Sequence, residues 1–369
     1  MDFISLIIFV GIIQGFLVGF LLLTINRGNK KANRLLGLLL ITASFSIIGF
    51  ELDRTDTHKI FPFLIGLPQT VVFLLGPLFY YYVNSLTTKN FLITKKELLH
   101  LIPFFAVILY RIPLFILSNE TKLEYVSDIS RRDEELGLLI LQCIHLFIYL
   151  HITIKNLREY TAAIKTTMSS LEKINLNWIR LCIHAFVIIF VVMFNMSILY
   201  FAGIHLYEYY SVIIPILVSI TILVMGYLGF KQPIIFPPEV QELKIKKYER
   251  SSLTIDKADL HLQELLAVMG DKKPYLDNEL TLAKLSEMLS IPQHHLSQVL
   301  NEKLNQNFFD FVNNYRIQEA KKLLVSPEGG LLTILAIAEE VGFNSKSAFN
   351  NAFKKVTNTT PSEFRKSNS

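Results

Sequence analysis

The sequence is poor in charge and in cysteine. Only 18% of its 369 residues are charged, while 51% are hydrophobic and the mean hydropathy is +0.41. That balance excludes an ordinary soluble globular protein. The two cysteines, Cys143 and Cys182, both sit in apolar stretches. Isolated thiols so placed exclude a disulfide framework and read as packing residues. There is no glycine-rich nucleotide loop, no nucleophile–base pattern and no metal-ligand spacing. No cofactor, metal or enzyme activity is therefore expected. The N-terminus lacks both a basic leader and a small-residue cleavage site, so its first apolar run is expected to stay as a spanning helix.

What is present begins with those runs. A spanning helix needs about 20 mostly apolar residues. Seven stretches qualify, at roughly 3–25, 35–52, 60–83, 98–117, 136–157, 178–202 and 209–230, the second being short. The glycines and prolines inside them, such as Gly11, Gly15, Gly19, Pro68, Gly76 and Pro77, are tolerated where neighbouring helices support the backbone. The loops alternate in charge. The first carries Arg27, Lys30, Lys31 and Arg34, the third Lys89, Lys95 and Lys96, and the fifth Lys155, Arg158, Lys165, Lys173 and Arg180. In the second, Glu51, Asp53 and Asp56 offset Arg54 and Lys59, and the fourth is acidic overall. Lysine and arginine concentrate on the cytoplasmic side. The pattern is expected to place the N-terminus outside and the C-terminus in the cytoplasm.

Polar residues within the spans are candidates for a signal site. They are Gln14, Gln69, Arg111, His145 and Asn195, with His184 beside them. Each also has a plainer explanation. Arg111 lies in the outer third of its helix, where snorkelling to the interface is expected. The histidines lack metal spacing and read as satisfied core or interfacial residues. Gln14, Gln69 and Asn195 read as hydrogen-bonding groups between helices.

Three domains are expected: a seven-span membrane domain over 1–230, a candidate for signal sensing, a cytoplasmic linker over 231–273, and a soluble domain over 274–369. Pro233, Pro237 and Pro238 open the linker, and Lys244, Lys246, Lys247 and Arg250 suit an anionic inner leaflet. From Thr254 to Gly270 an amphipathic helix carries Leu260, Leu262, Leu265, Leu266 and Met269. It would pack on the soluble domain or pair with a second subunit.

The soluble domain reads as all helix in short elements. "LTLAKLSEMLS" and "IPQHHLSQVLNEKL" form two helices around a tight turn, a helix-turn-helix pattern with Pro292 at the start of the second. Gln293, His294, Ser297, Gln298 and Asn301 fall on its polar side, where amides and hydroxyls suit base edges and phosphates. A longer helix follows, about Phe309 to Leu324. The pattern then repeats as "LLTILAIAEEVGF", a turn at Gly342, and "NSKSAFNNAFKKV". Asn344 is the expected N-cap. Lys346, Ser347, Asn350, Lys354 and Lys355 fall outward, while Phe343, Phe349 and Phe353 fall inward. "TPSEF" reads as a capping box from Thr360 to Glu363.

Residues 275–366, about a quarter of the chain, resemble the AraC/XylS-type DNA-binding domain. Arg316, Ala320, Ile337, Ala338, Gly342, Phe343, Phe349, Phe353, Lys354, Thr360, Pro361 and Arg365 carry the likeness. The resemblance implies two recognition helices, at Gln293–Asn301 and Ser345–Lys355, and a sequence-specific transcription regulator acting on repeated half-sites. Pro292 replaces a common capping serine and Gln298 a common arginine. Asn305-Gln306 and Asn358 stand where glycine-containing turns are common, and asparagine tolerates the left-handed conformation.

The expected whole is an all-α chain: a seven-helix membrane domain followed by an AraC-type double helix-turn-helix domain. It resembles membrane-bound AraC-type regulators of bacteria. The expected partners are double-stranded promoter DNA, the lipid bilayer, a second copy of the chain and an unidentified small-molecule or envelope signal. The alternative is a membrane scaffold whose C-terminal domain serves as an anchor or a protein-binding module.

Overall fold

A computed structural model describes residues 3–26, 28–88, 91–127, 132–172, 174, 176–204, 206–231 and 253–368. The linker residues 232–252, with their prolines and basic cluster, lie outside the described residues, as do Arg27, Lys89 and Lys173. The described chain is all α-helical, with one isolated antiparallel bridge between Met168 and Thr281. Seven helices among the described residues are long and apolar enough to cross a membrane. A helical C-terminal domain follows them. Two compact units emerge: Met1–Leu157 with Leu176–Phe236, and Arg158–Asn175 with Pro237–Ser369.

The first unit holds α1 (Phe3–Thr24), α2 (Lys30–Arg54), a third span broken into α3 (Leu67–Val71) and α4 (Leu75–Thr87), α5 (Ile102–Phe115), most of α6 (Arg132–Lys165), α7 (Asn177–Phe201) and α8 (Tyr207–Lys231). α1 is apolar all round, as a helix facing lipid on one side and protein on the other must be. Leu6, Phe9, Val10, Leu17 and Phe20 are exposed, while Ile8, Ile12 and Leu22 are buried. The second span is not short: α2 runs 25 residues. It takes in Glu51, Asp53 and Arg54, which the sequence placed in a loop. Glu51 is 3% exposed. It accepts a bond from Ser5 Oγ at 2.6 Å and pairs with Arg54 Nη2 at 3.0 Å, so this carboxylate is structural.

Glycine spacing brings α1 against α2. A Cβ on Gly19 would lie 2.9 Å from the Gly37 carbonyl oxygen, and one on Gly37 would lie 2.7 Å from that of Gly19. One on Gly15 would collide with Ser44 Oγ, and one on Gly11 with Ser219 of α8. Apolar burial gives little drive between helices in lipid, so close backbone packing has to supply it.

The second unit is built from α9 (Ile255–Asp271), α10 (Leu282–Leu289), α11 (Gln293–Lys303), α12 (Phe308–Val325), α13 (Ile334–Glu340), α14 (Lys346–Thr357) and α15 (Pro361–Asn368). Leu265 and Met269 are fully buried in the core with Leu282, Leu285, Leu296 and Phe308. The amphipathic helix therefore packs on the helix-turn-helix core. Its Leu260 and Leu266 stay exposed. A second core gathers Ile317, Ala320, Leu324, Ile337, Ala338, Phe349 and Phe353.

Gly19→Val would force a branched side chain into the Gly37 carbonyl. The expected cost is about 1–3 kcal/mol, typical of overpacking. It should appear as a lower thermal midpoint of the detergent-solubilised full chain, with Gly137→Val, at a glycine open on all sides, nearly neutral.

Candidate nucleic-acid interface

In the first helix-turn-helix, Thr281 caps α10 by accepting from the Lys284 amide at 3.2 Å. α10 ends at Leu289, and its C-cap Ser290, with φ of 56°, turns the chain. Ser286 Oγ donates to the Ile291 carbonyl at 2.5 Å and holds the turn shut. Pro292 is the N-cap residue of α11, one position before the first helical residue. Leu296, Val299 and Leu300 face the core. Gln293, His294 and Asn301 are exposed, and Ser297 and Gln298 are half-buried. Part of this face bonds to itself: Gln298 Nε2 donates to Glu302 at 3.0 Å and Asn301 Nδ2 to the Ser297 carbonyl at 2.7 Å. His295, which sequence reasoning passed over, is half-buried beside His294 and His261. Burial, and then the neighbouring cationic groups, lower its pKa.

The second unit turns at Gly342, with φ of +89°. A Cβ there would lie 2.7 Å from the Tyr275 carbonyl and 3.0 Å from Arg316 Nε. Glycine is thus required twice over, by backbone conformation and by space. The N-cap of α14 is Ser345, not Asn344: Ser345 Oγ accepts from the Ala348 amide at 3.2 Å. Asn344 instead donates from Nδ2 to Ser170 Oγ at 2.9 Å. Phe343, Phe349 and Phe353 are buried in a chain of tilted rings. Lys346, Ser347, Lys354 and Lys355 are exposed. Asn350 is half-buried, and its Oδ1 is enclosed without a hydrogen-bond partner. Lys355 reaches back to Asp310 of α12 at 2.6 Å. Asn305 and Asn358 adopt φ of 51° and 59°, the left-handed turns expected of them. The Thr360–Glu363 capping box forms, with bonds of 2.8 and 3.3 Å.

α12 ties the two halves together through Arg316, which is 1% exposed. Its Nε donates to the Tyr275 carbonyl at 2.7 Å and its Nη2 to that of Asp277 at 2.8 Å. Its Nη1 donates to the Ser169 carbonyl at 3.1 Å. Burial pulls its pKa down to about 10, against the nearby Asp277 charge, so it stays cationic at neutral pH.

The candidate signal residues of the spans are dispersed. Gln69 and His145 share one neighbourhood: Gln142 Nε2 on α6 donates to the Gln69 carbonyl at 2.8 Å, and His145, one turn further, packs on Phe73 and Tyr149. Gln69 Oε1 and His145 Nε2 are buried without partners. Arg111 does not snorkel. It is 3% exposed, and its Nη2 contacts both Glu135 oxygens at 2.6 and 2.7 Å. Asn195 accepts from the Tyr210 hydroxyl at 2.6 Å, joining α7 to α8, and Gln14 lies half-buried on α1. An apolar cavity of about 70 Å³ is lined by Leu40, Ala43, Cys143, Phe186 and Met225 among others. That is well short of the roughly 300 Å³ of a small-molecule pocket. No cluster of three or more metal-ligand side chains occurs among the described residues.

Residues 285–367 match the family described as a helix-turn-helix domain. An uncharacterized HTH-type transcriptional regulator of Staphylococcus aureus (strain COL) is 35% identical over 91 residues, 25% of this chain and 12% of that protein. The HTH-type transcriptional regulator GlxA of Rhizobium meliloti (strain 1021) is 28% identical over 102 residues, 28% of this chain and 31% of that protein. The C-terminal domain of AraT, a response regulator from Geobacillus stearothermophilus, is 27% identical, with 32% of this chain and 88% of that one covered and a TM-score of 0.26. The chain therefore spans between 12% and 31% of the length of these two curated relatives. Both are transcriptional regulators, a non-catalytic class.

Two outcomes follow for this unit. Gly342→Ala should destabilise it by about 2 kcal/mol or more, through a left-handed φ and a carbonyl clash together. Thermal unfolding of the full chain followed by tryptic cleavage after α12 would report it. The second outcome concerns pH. Burial works against the Asp310 charge, but hydrogen bonds from Lys355 and Asn307 outweigh it and hold the pKa below its usual value. The stability this supplies is present above the unfolded carboxylate value of about 4 and is lost as pH falls through the lower folded one. Asp310→Asn should thus lower the unfolding midpoint at pH 7, with the gap to the wild type narrowing below about pH 4.

Proposed function

We propose that this chain is a membrane-anchored, sequence-specific DNA-binding transcription regulator of the AraC/XylS type, coupling an envelope or extracellular signal to gene expression. The observation that carries the reading is the pair of helix-turn-helix units on one connecting helix. α11 presents Gln293, His294 and Asn301, and α14 presents Lys346, Ser347 and Lys354, as exposed polar faces over buried cores. Such faces suit base edges and phosphates in successive major grooves. The helix-turn-helix match over residues 285–367 and the regulators that share it support the same reading.

In this reading α11 and α14 are the recognition helices. Gln293, His294, Ser297, Gln298, Asn301, Ser345, Lys346, Ser347, Asn350, Lys354 and Lys355 form the DNA-facing set. Double-stranded promoter DNA is the partner, and a second copy of the chain would fill paired half-sites. The spans hold the domain on the cytoplasmic face of a bacterial inner membrane, as the lysine and arginine bias of the first, third and fifth loops favours. The enclosed, unpartnered atoms of Gln69 and His145, near the Gln142 bond, make that neighbourhood the best-supported signal site, with Arg111, Gln14 and Asn195 as further candidates.

The experiment is selection of DNA from a random pool by the full-length chain in nanodiscs, followed by titration at several salt concentrations. A defined motif, bound at least a hundredfold above random DNA, is expected. Uniform affinity for all sequences would sink the reading. Lys354→Ala should weaken binding to every sequence and reduce the salt slope by about 1, whereas Gln293→Ala should relax preference at one position of the motif.

A further inference from the structure

The loop between the fifth and sixth spans is not free. Residues 158–175 belong to the same compact unit as the C-terminal helices. After α6 ends at Lys165, the chain lies along the start of the first helix-turn-helix. The Leu282 amide donates to the Thr167 carbonyl at 2.9 Å, and Ser169 Oγ donates to the Leu280 carbonyl at 2.6 Å. Met168 and Thr281 form the antiparallel bridge between these bonds. Ser169 also fills the open side of Arg316: its carbonyl accepts from Nη1 at 3.1 Å and its Oγ from Nη2 at 3.2 Å. Ser170 Oγ accepts from Asn344, and one residue further in the helix-turn-helix, Ser345 Oγ donates to the Glu172 carboxylate.

The last contact is the informative one. Ser345 is the N-cap of α14, a 12-residue helix whose positive end carries unsatisfied amides. In a DNA complex, a helix N-terminus of this kind takes a backbone phosphate. Glu172 already places an anionic group against that N-cap. A carboxylate and a phosphate cannot share one site, because each excludes the other sterically and by charge.

We propose that residues 166–172 form a built-in clamp, in which Glu172 occupies the phosphate position at the N-terminus of α14 and must leave before DNA binds there. The proposal rests on the reading of α14 as a DNA-contacting helix. The two ends of the clamp differ in kind. At Ser169 it is anchored on a buried guanidinium, with Ser169 itself 1% exposed. At Glu172 it is a half-buried carboxylate on a hydroxyl. The Glu172 end is the one that gives way, and the Ser169 anchor keeps it close. Because the clamp continues directly from α6, which begins at Arg132, a shift of that helix along its axis would pull on Glu172.

The test uses the full-length chain in nanodiscs and the DNA motif selected for it. Glu172→Ala should tighten DNA binding at least about fivefold, the lower end of allosteric coupling. It should also steepen the dependence of log K on log salt by about one phosphate contact. Ser170→Ala, which cuts only the Asn344 bond, should move affinity the same way by less. Tightening with the steeper slope supports the clamp. Unchanged or weaker binding by Glu172→Ala, while the wild type still selects its motif, overturns the clamp and leaves the DNA reading standing. No sequence preference in the wild type or in either variant overturns both.

Discussion

Arg316 is the constraint on which the C-terminal unit depends. A guanidinium that is 1% exposed has to spend its donors inside the protein, because an unpaired buried charge costs several kcal/mol. The Asp277 charge lies nearby, but the donors themselves bond to neutral acceptors. Its donors go to the carbonyls of Tyr275, Asp277 and Ser169 and to the side chains of Ser169 and Asn313. The acceptors come from three segments, so one residue fixes the turn before α10, the connecting helix and the inter-span loop at once. It also dictates glycine at position 342, where any side chain would strike the Tyr275 carbonyl that Arg316 needs. The two core clusters part at this residue: Val312, one turn before it, belongs to the first, and Ile317 opens the second.

That seam explains how two helix-turn-helix units act as one body. They share α12, and Arg316 lies over the Phe343 ring at 5.6 Å, two residues before the Ser345 cap. Lys355 at the far end of α14 returns to Asp310 near the start of α12. α14 is therefore pinned to the connecting helix at both of its ends, by a buried contact at one and an exposed ion pair at the other. A surface pair of this kind adds little stability, so the Phe343 end dominates.

What the sequence made legible follows from the range of each interaction. Spans are written in about 20 contiguous residues, and helix-turn-helix units in the spacing of Leu285, Leu296, Phe349 and Phe353. Both depend on local periodicity, and both were readable. The Gly11–Gly15–Gly19 spacing encodes a small-residue packing face as well as the tolerance of glycine within spans. Arg111 reads as a snorkelling residue from sequence because its partner, Glu135, is 24 residues away. Asn344 and Ser345 are equally good caps by type, and only the bond from Asn344 to Ser170, 174 residues away, decides between them. The clamp itself, Thr166 to Glu172, is a short, mostly polar segment with no periodic face, and nothing in it announces a docking partner more than a hundred residues later.

The clamp also changes what coupling requires of the membrane half. The apolar cavity among the spans, about 70 Å³, is small beside a typical small-molecule pocket. If Glu172 and a DNA phosphate exclude one another at Ser345, linkage makes the effect reciprocal. Whatever favours withdrawal of the loop tightens DNA binding, and DNA binding favours withdrawal by the same factor. A signal that stabilises one placement of α6 over another by even 1.4 kcal/mol would shift that equilibrium tenfold. The domain needs no large rearrangement for this, because Arg316 holds the two helix-turn-helix units in place while one carboxylate moves.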